Sequence, residues 1–138
     1  MSRAKPGFGR SLKPFRHPLL WAGLWSAAVA VVVVTSLVPL SDLPEVPEGT
    51  DKLEHFIAYA LLSAGAVQLF ARRLSLLSAC VVLALLGVAL EYMQGHMGLG
   101  RAMDVRDALA NTLGVLAGLA TQFTPLRDAL LRFDTRRS

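Results

Sequence analysis

The sequence predicts an all-α membrane protein, a bundle of four transmembrane helices with both termini in the cytoplasm. Of its 138 residues, 54% are hydrophobic and only 17% are charged, which is too apolar for an ordinary soluble domain of this size. The apolar residues fall into blocks close to the roughly 20 residues that a helix needs to cross a bilayer. Basic residues gather on one side of these blocks.

The predicted membrane domain covers residues 19–123, between basic cytoplasmic tails at 1–18 and 124–138. Its helices are expected at about 19–38, 52–70, 74–92 and 104–123. A basic segment before an apolar run is also the form of a signal peptide. The first run is longer than a signal peptide usually carries, and no Ala-x-Ala-like site follows it, so an uncleaved helix is favoured.

Orientation follows from the basic residues, which are retained on the cytoplasmic side of membrane proteins. Eleven of the 14 Lys and Arg residues lie in the two tails or between the second and third helices. The other side carries only Lys52, Arg101 and Arg106. The sequence therefore predicts a multi-pass membrane protein with its polar cluster at the outer, non-cytoplasmic end.

The net charge of +4 does not indicate a nucleic-acid partner, because the basic residues flank hydrophobic blocks and do not form a soluble face. The single cysteine, Cys80, excludes a disulfide framework and a cysteine zinc site within one chain. The lipid bilayer is the expected partner, no cofactor is predicted, and the oligomeric state stays open.

Helices two, three and four each carry one face that changes from polar at the outer end to small residues within. The members of the three faces, at steps of three and four residues, are Asp51, His55, Tyr59, Ser63 and Ala66; Gln94, Glu91, Gly87, Ala84 and Cys80; and Asp104, Asp107, Asn111, Gly114 and Gly118. Gly114 and Gly118 form a G-x-x-x-G pair, which permits close helix approach. If the faces converge, their outer ends form one polar pocket.

Structural roles explain part of this pattern. Asp51 with Glu54, and Asp104 with Asp107, have the spacing of helix-capping residues, and for Glu54 capping is the favoured interpretation. His55 can be an interfacial histidine, whereas Asn111 lies a full turn inside an apolar helix and must find partners. One His and three carboxylates can hold a divalent cation, but no H-x-x-x-H or C-x-x-C spacing supports it, so no metal is predicted.

Three separated motifs resemble the VanZ-like family. Asp51, Lys52, His55 and Tyr59 are similar to its D-K-x-x-H-x-x-x-Y motif, and Glu91 with Gln94 to its E-x-x-Q. The third motif, R-x-x-D-x-x-D-x-x-x-N-x-x-G, is matched by Arg101, Asp104, Asp107, Asn111 and Gly114. The resemblance covers residues 19–123 and implies a bacterial inner-membrane protein, in a family named for a member associated with low-level teicoplanin resistance. Resistance members are usually longer, so a general cell-envelope function is expected here.

The predicted function is recognition of an amphiphilic or lipid-linked anionic ligand at the outer leaflet. The candidate ligand-binding residues are Asp51, Lys52, His55, Tyr59, Glu91, Gln94, Arg101, Asp104, Asp107 and Asn111. Arg101 would pair with an anionic group such as phosphate. A membrane enzyme is the first alternative, with His55 and Glu91 as catalytic candidates for acid-base chemistry, and an accessory or structural subunit without a ligand is the second. An ion conduit is disfavoured, because the charges stop at the outer end.

Overall fold

The computed structural model describes residues 11–38, 50–98 and 103–136, apart from the side chain of Asp51. These residues form α1 (Pro18–Ser36), α2 (Thr50–Leu69), α3 (Arg73–His96), α4 (Val105–Ala120) and α5 (Ala129–Arg136), with 3₁₀ turns at Thr121–Phe123 and Pro125–Asp128 between the last two helices. The all-helical class is therefore confirmed for the described part of the chain. Residues 39–49, between the first two helices, and 99–102, before the fourth, lie outside it.

The helix boundaries differ from those expected by up to four residues, and α4 ends at Ala120 instead of about 123 because a 3₁₀ turn follows it. Helix α3 continues through Gly95 to His96 instead of ending near Tyr92, because one glycine weakens a helix without breaking it. Thr50 is the first helical residue of α2, so Asp51 lies inside its first turn rather than at the cap before it. Asp104 does cap α4, since its side chain accepts a hydrogen bond from the Arg106 backbone N–H at 2.9 Å.

The two predicted tails contain structure that the sequence analysis did not predict. Asp134 in α5 is 5% exposed and accepts hydrogen bonds from the Trp21 indole, at 2.9 Å, and from the Arg16 backbone. The Lys13 backbone N–H donates to the carbonyl of Leu69 at 2.8 Å. Residues 11–17 and α5 therefore pack against the start of α1 and the end of α2, at the opposite end of the bundle from the predicted polar cluster.

Helix α2 lies against α4 along a closely packed interface. A Cβ added at Gly114 would overlap the backbone of Phe56, and one added at Gly118 would overlap the Ala60 carbonyl and lie 2.7 Å from the Ala64 nitrogen. The predicted close approach at the G-x-x-x-G pair is confirmed, with α2 as the partner. Packing at this distance holds the polar ends of the two helices side by side.

The inward faces of α2, α3 and α4 meet in one core. Ser63 is fully buried, donates to the carbonyl of Val115 at 2.7 Å and lies 3.5 Å from the Cys80 sulfur. Leu83 and Ala66, at 1% and 0% exposure, fill the space around it. The predicted convergence of the three faces is confirmed at this level of the bundle.

Two of the described helices, α1 and α3, are long and apolar enough to cross a membrane. Helix α1 has no buried residue, and about a third of the apolar window of α3 is buried. Helix α4 has 16 residues, or about 24 Å at 1.5 Å per residue, and α2 begins with charged residues. Length and composition therefore mark two spans, not four.

Candidate functional site

A polar pocket of about 200 Å³ opens between the end of α1, the start of α2 and the end of α3. It is lined by Val32, Thr35, Ser36, Glu54, His55, Ala58, Tyr59, Gly87, Leu90, Glu91, Gln94 and Asn111. Carboxylate, imidazole, phenol and amide groups therefore face the same small volume as several aliphatic side chains. Such a surface suits a ligand that has both polar and apolar parts.

Glu91 lines the polar pocket and is only 2% exposed. Its Oε1 accepts a hydrogen bond from the Asp104 backbone N–H at 2.8 Å, which ties the end of α3 to the start of α4. Its Oε2 has no hydrogen-bond partner among the described residues. One oxygen therefore positions the carboxylate and the other stays available.

Three further buried atoms near Glu91 also lack a hydrogen-bond partner among the described residues. Within the described part of the chain, they are His55 Nδ1, Asp107 Oδ1 and Asn111 Oδ1. Asp107 Oδ1 is compensated by an ion pair, because it lies 3.2 Å from the Lys52 ammonium. Buried polar atoms in folded proteins nearly always have a partner, so the three around one volume that have none, on His55, Glu91 and Asn111, need an explanation. His55, Glu91 and Asp107 each offer a ligand atom within 4.8 Å of those of the other two.

Lys52 supplies positive charge at the rim of this cluster. Its Nζ lies 3.2 Å from both Asp104 Oδ2 and Asp107 Oδ1, with about a third of the lysine side chain exposed. The hydrogen bond from the Arg106 backbone N–H, together with that from Lys52, holds the pKa of Asp104 below its usual value. Asp104 therefore stays ionised at neutral pH, as a helix cap and as the partner of Lys52.

The remaining predicted site residues include one that lines the pocket, one that joins two helices and two whose side chains are not described. Tyr59 is 3% exposed and lines the polar pocket, whereas Gln94 donates from Nε2 to the Ser36 carbonyl at 2.7 Å and so joins α3 to α1. Arg101 lies outside the described residues, and for Asp51 only the helical backbone is described. Eight of the ten candidates therefore have described side chains, and all eight lie in or next to the polar pocket.

The sequence analysis missed part of the pocket wall. Val32, Thr35 and Ser36 of α1 line it, although α1 has no stripe of polar residues that would have revealed this. The only sequence signal was the pair Thr35-Ser36 near the end of an otherwise apolar helix. Glu54, which was interpreted as a capping residue, also lines the pocket.

Comparison with known proteins supports one assignment. No curated protein and no solved structure is significantly similar to the chain. The sequence model of the VanZ/LLP1 family, however, matches residues 12–124, which include every described residue of the polar pocket and all three of the predicted motifs. The chain therefore belongs to the VanZ/LLP1 family.

Proposed function

We propose that this VanZ/LLP1 protein spans the bacterial inner membrane four times, with both termini in the cytoplasm and the polar pocket at the periplasmic face. Family membership and two strongly apolar helices support a membrane protein. The bias of basic residues toward one side supports the orientation. The polar pocket would then lie near the outer leaflet of the bilayer.

The outward faces of α2 and α4 favour four spans rather than two. Leu53, Ile57 and Leu61 of α2 are 46–67% exposed at steps of four residues. Helix α4 presents the same pattern with Leu109, Leu113 and Leu116, at 55–57% exposure. An apolar stripe with no protein partner is expected to face lipid. Both helices have modest overall hydropathy because their inward faces carry the polar residues.

In this setting the polar pocket binds the polar head group of an amphiphilic or lipid-linked ligand. The observation that carries the proposal is the convergence of three buried polar atoms without hydrogen-bond partners in the described residues, on His55, Glu91 and Asn111, all of which line the pocket. Each unsatisfied buried polar group costs about 1–3 kcal/mol. A ligand that donates hydrogen bonds, such as a hydroxyl-bearing head group, would remove this cost.

The size and charge of the pocket limit the ligand further. A volume of about 200 Å³ holds part of a head group but no acyl chain, so the chain would lie beside the exposed apolar surface of α1. An anionic group would lie at the rim, near Lys52 and Arg106 at the starts of α2 and α4. Arg101, the residue expected to bind this group, keeps that role as part of the proposal.

Catalysis is the second candidate function. His55 and Glu91 line the same pocket, have ligand atoms within 4.8 Å of each other and each carry an unpartnered buried atom. A base and an acid at that separation can act on one substrate bond between them. The enzyme hypothesis predicts that an envelope lipid extract changes in composition when it is incubated with the purified protein. It also predicts that Glu91→Gln abolishes the change, and an unaltered extract would contradict catalysis.

Ligand recognition is tested by native mass spectrometry of the protein extracted from membranes in mild detergent. The wild-type protein should retain a lipid-derived mass, and His55→Ala should reduce its occupancy at least tenfold. His96→Ala is the matched control, because His96 is exposed and stacks on Tyr92 with ring centroids 4.1 Å apart. Wild-type protein without bound lipid, or equal retention in both variants, would contradict the proposal.

A further inference from the structure

We propose that His55, Glu91 and Asp107 bind a divalent transition-metal cation, with Asn111 Oδ1 as a further ligand. This goes beyond recognition of a head group and does not depend on it, because it is argued from the side chains alone. The sequence analysis considered such an ion and predicted none, because the three residues come from three helices and share no recognised ligand spacing.

The distances among the three residues suit a single ion. One ligand atom from each lies within 4.8 Å of the other two. Metal bonds from imidazole nitrogen and carboxylate oxygen are about 2.0–2.2 Å long, which brings ligand atoms to about 3–3.5 Å from one another. Rotamer adjustments of about 1 Å therefore close the site without any movement of the helices.

Burial provides an independent argument that something occupies this place. Glu91 and Asn111 are each 2% exposed, and in the described part of the chain neither Glu91 Oε2 nor Asn111 Oδ1 has a hydrogen-bond partner. An unpaired buried carboxylate oxygen is costly, and a coordinated metal is one of the two usual ways to compensate it. These are acceptor atoms, which a cation satisfies directly.

The local charge balance also favours a cation. Glu91, Asp104 and Asp107 bring three carboxylates together, and the ammonium of Lys52 lies against two of them, Asp104 and Asp107. Asp107 carries two oxygens, so it can keep its contact with Lys52 through one and bind a metal through the other. A divalent ion beside Glu91 would neutralise the remaining negative charge.

The donor set indicates which ions fit. Imidazole suits zinc, iron and nickel, while carboxylate and amide oxygens suit manganese and magnesium. A mixed set of one imidazole, two carboxylates and one amide therefore favours Mn²⁺, Fe²⁺ or Zn²⁺ over Ca²⁺. The hydrogen bond from the Asp104 backbone to Glu91 Oε1, at 2.8 Å, orients the carboxylate as outer-shell contacts do in known metal sites.

An ion at this position would face the polar pocket, which Glu91, His55 and Asn111 line. A phosphate entering the pocket would then meet a cation instead of bare carboxylates, so an anionic head group would be attracted to the interior. This last step rests on the proposed head-group recognition, whereas the cation site itself does not.

The test uses full-length protein in detergent, purified with a tag that lacks histidine, stripped with EDTA and titrated with Zn²⁺ and Mn²⁺. Wild-type protein should bind one ion per chain. Glu91→Gln and Asp107→Asn, which keep side-chain shape, should weaken binding by 10- to 100-fold or more. His96→Ala and Asp128→Asn should bind as the wild type does, because His96 is exposed and Asp128 pairs with Lys13 at the opposite end.

A second measurement needs no variant. Electron spin-echo modulation of Mn²⁺ bound to the wild-type protein should show coupling to an imidazole nitrogen. The absence of stoichiometric binding, unchanged affinity in Glu91→Gln, or bound Mn²⁺ without nitrogen coupling would each overturn the site. Lipid retention is measured on the same EDTA-stripped sample to test head-group recognition separately. If the protein retains lipid but binds no metal, the cation site is wrong and the proposed lipid recognition still holds.

Discussion

Two buried polar side chains, Ser63 and Asn111, differ in whether neighbouring residues satisfy their hydrogen bonds. Ser63 is 0% exposed and donates to the Val115 carbonyl at 2.7 Å, so its hydroxyl is satisfied within the core. Asn111 is 2% exposed, and its Oδ1 has no hydrogen-bond partner within the described residues. The hydroxyl of Ser63 therefore stabilises the fold, whereas the unsatisfied amide oxygen of Asn111 lowers its stability.

This difference predicts opposite effects on stability. Asn111→Leu keeps the branching of the side chain and removes the unsatisfied amide, so the melting temperature in detergent should stay the same or rise while lipid retention is lost. Ser63→Ala should lower the free energy of unfolding by about 1 kcal/mol and leave retention intact. A larger loss of stability in Asn111→Leu than in Ser63→Ala would indicate a purely structural role for the amide.

Periodicity assigned several pocket-lining residues to inward faces but did not give the distances between them. Steps of three and four residues correctly assigned Tyr59, Glu91 and Asn111 to inward faces. That His55 and Glu91 come within 4.8 Å depends on how α2 and α3 pack, which a single-helix pattern does not contain. Glu54 was assigned to capping because its spacing from Asp51 is that of a capping box. The same position on the helix also lets it line the pocket.

Among the helices, the interface between α2 and α4 is the tightest feature of the bundle. Gly114 and Gly118 leave no room for a Cβ, because the backbones of Phe56 and Ala60 lie against them. Helix α4 therefore depends on these glycines for its position against α2. Asp107 and Asn111 lie about two turns and one turn before Gly114 on the same face, so the packing also positions the proposed site.

Gly118→Ala should destabilise the bundle by about 1–3 kcal/mol, because the new methyl group must displace backbone and not a flexible side chain. Gly23→Ala is the matched control, since a Cβ there meets nothing within 4 Å and the helix gains propensity. Thermal unfolding in detergent compares the two variants. Equal melting temperatures would contradict the close packing of α2 and α4.

Helix α5 shows the limit of sequence patterns at the scale of elements. It has eight residues, follows Pro125 closely and carries several charges, which are all features of a solvated tail. A helix of that length is marginal alone and forms through tertiary contacts. Here the contacts come from Asp134, which accepts hydrogen bonds from Trp21 and from the backbone of Arg16, over 100 positions away in sequence.

For the whole molecule, the proposed topology reconciles two helices that are apolar throughout with two that are apolar on one side only. Helices α1 and α3 satisfy length and hydropathy criteria, whereas α2 and α4 combine an outward leucine stripe with an inward polar face. Polar residues in a membrane bundle face its interior because exposure to lipid is costly. In the proposed four-span protein, the proposed binding site therefore lies at the inward polar faces of α2 and α4, the two less hydrophobic helices.

The central claim is that the polar end of this bundle faces the periplasm, and cysteine labelling tests it most directly. In a Cys80→Ala background, which has no other cysteine, Met97→Cys places a thiol at the end of α3 beside the polar pocket and Thr135→Cys places one on α5. Both positions are exposed. A membrane-impermeant maleimide added to intact spheroplasts should label Met97→Cys. It should label Thr135→Cys only after the spheroplasts are lysed. Labelling of Thr135→Cys before lysis, with Met97→Cys protected, would contradict the account.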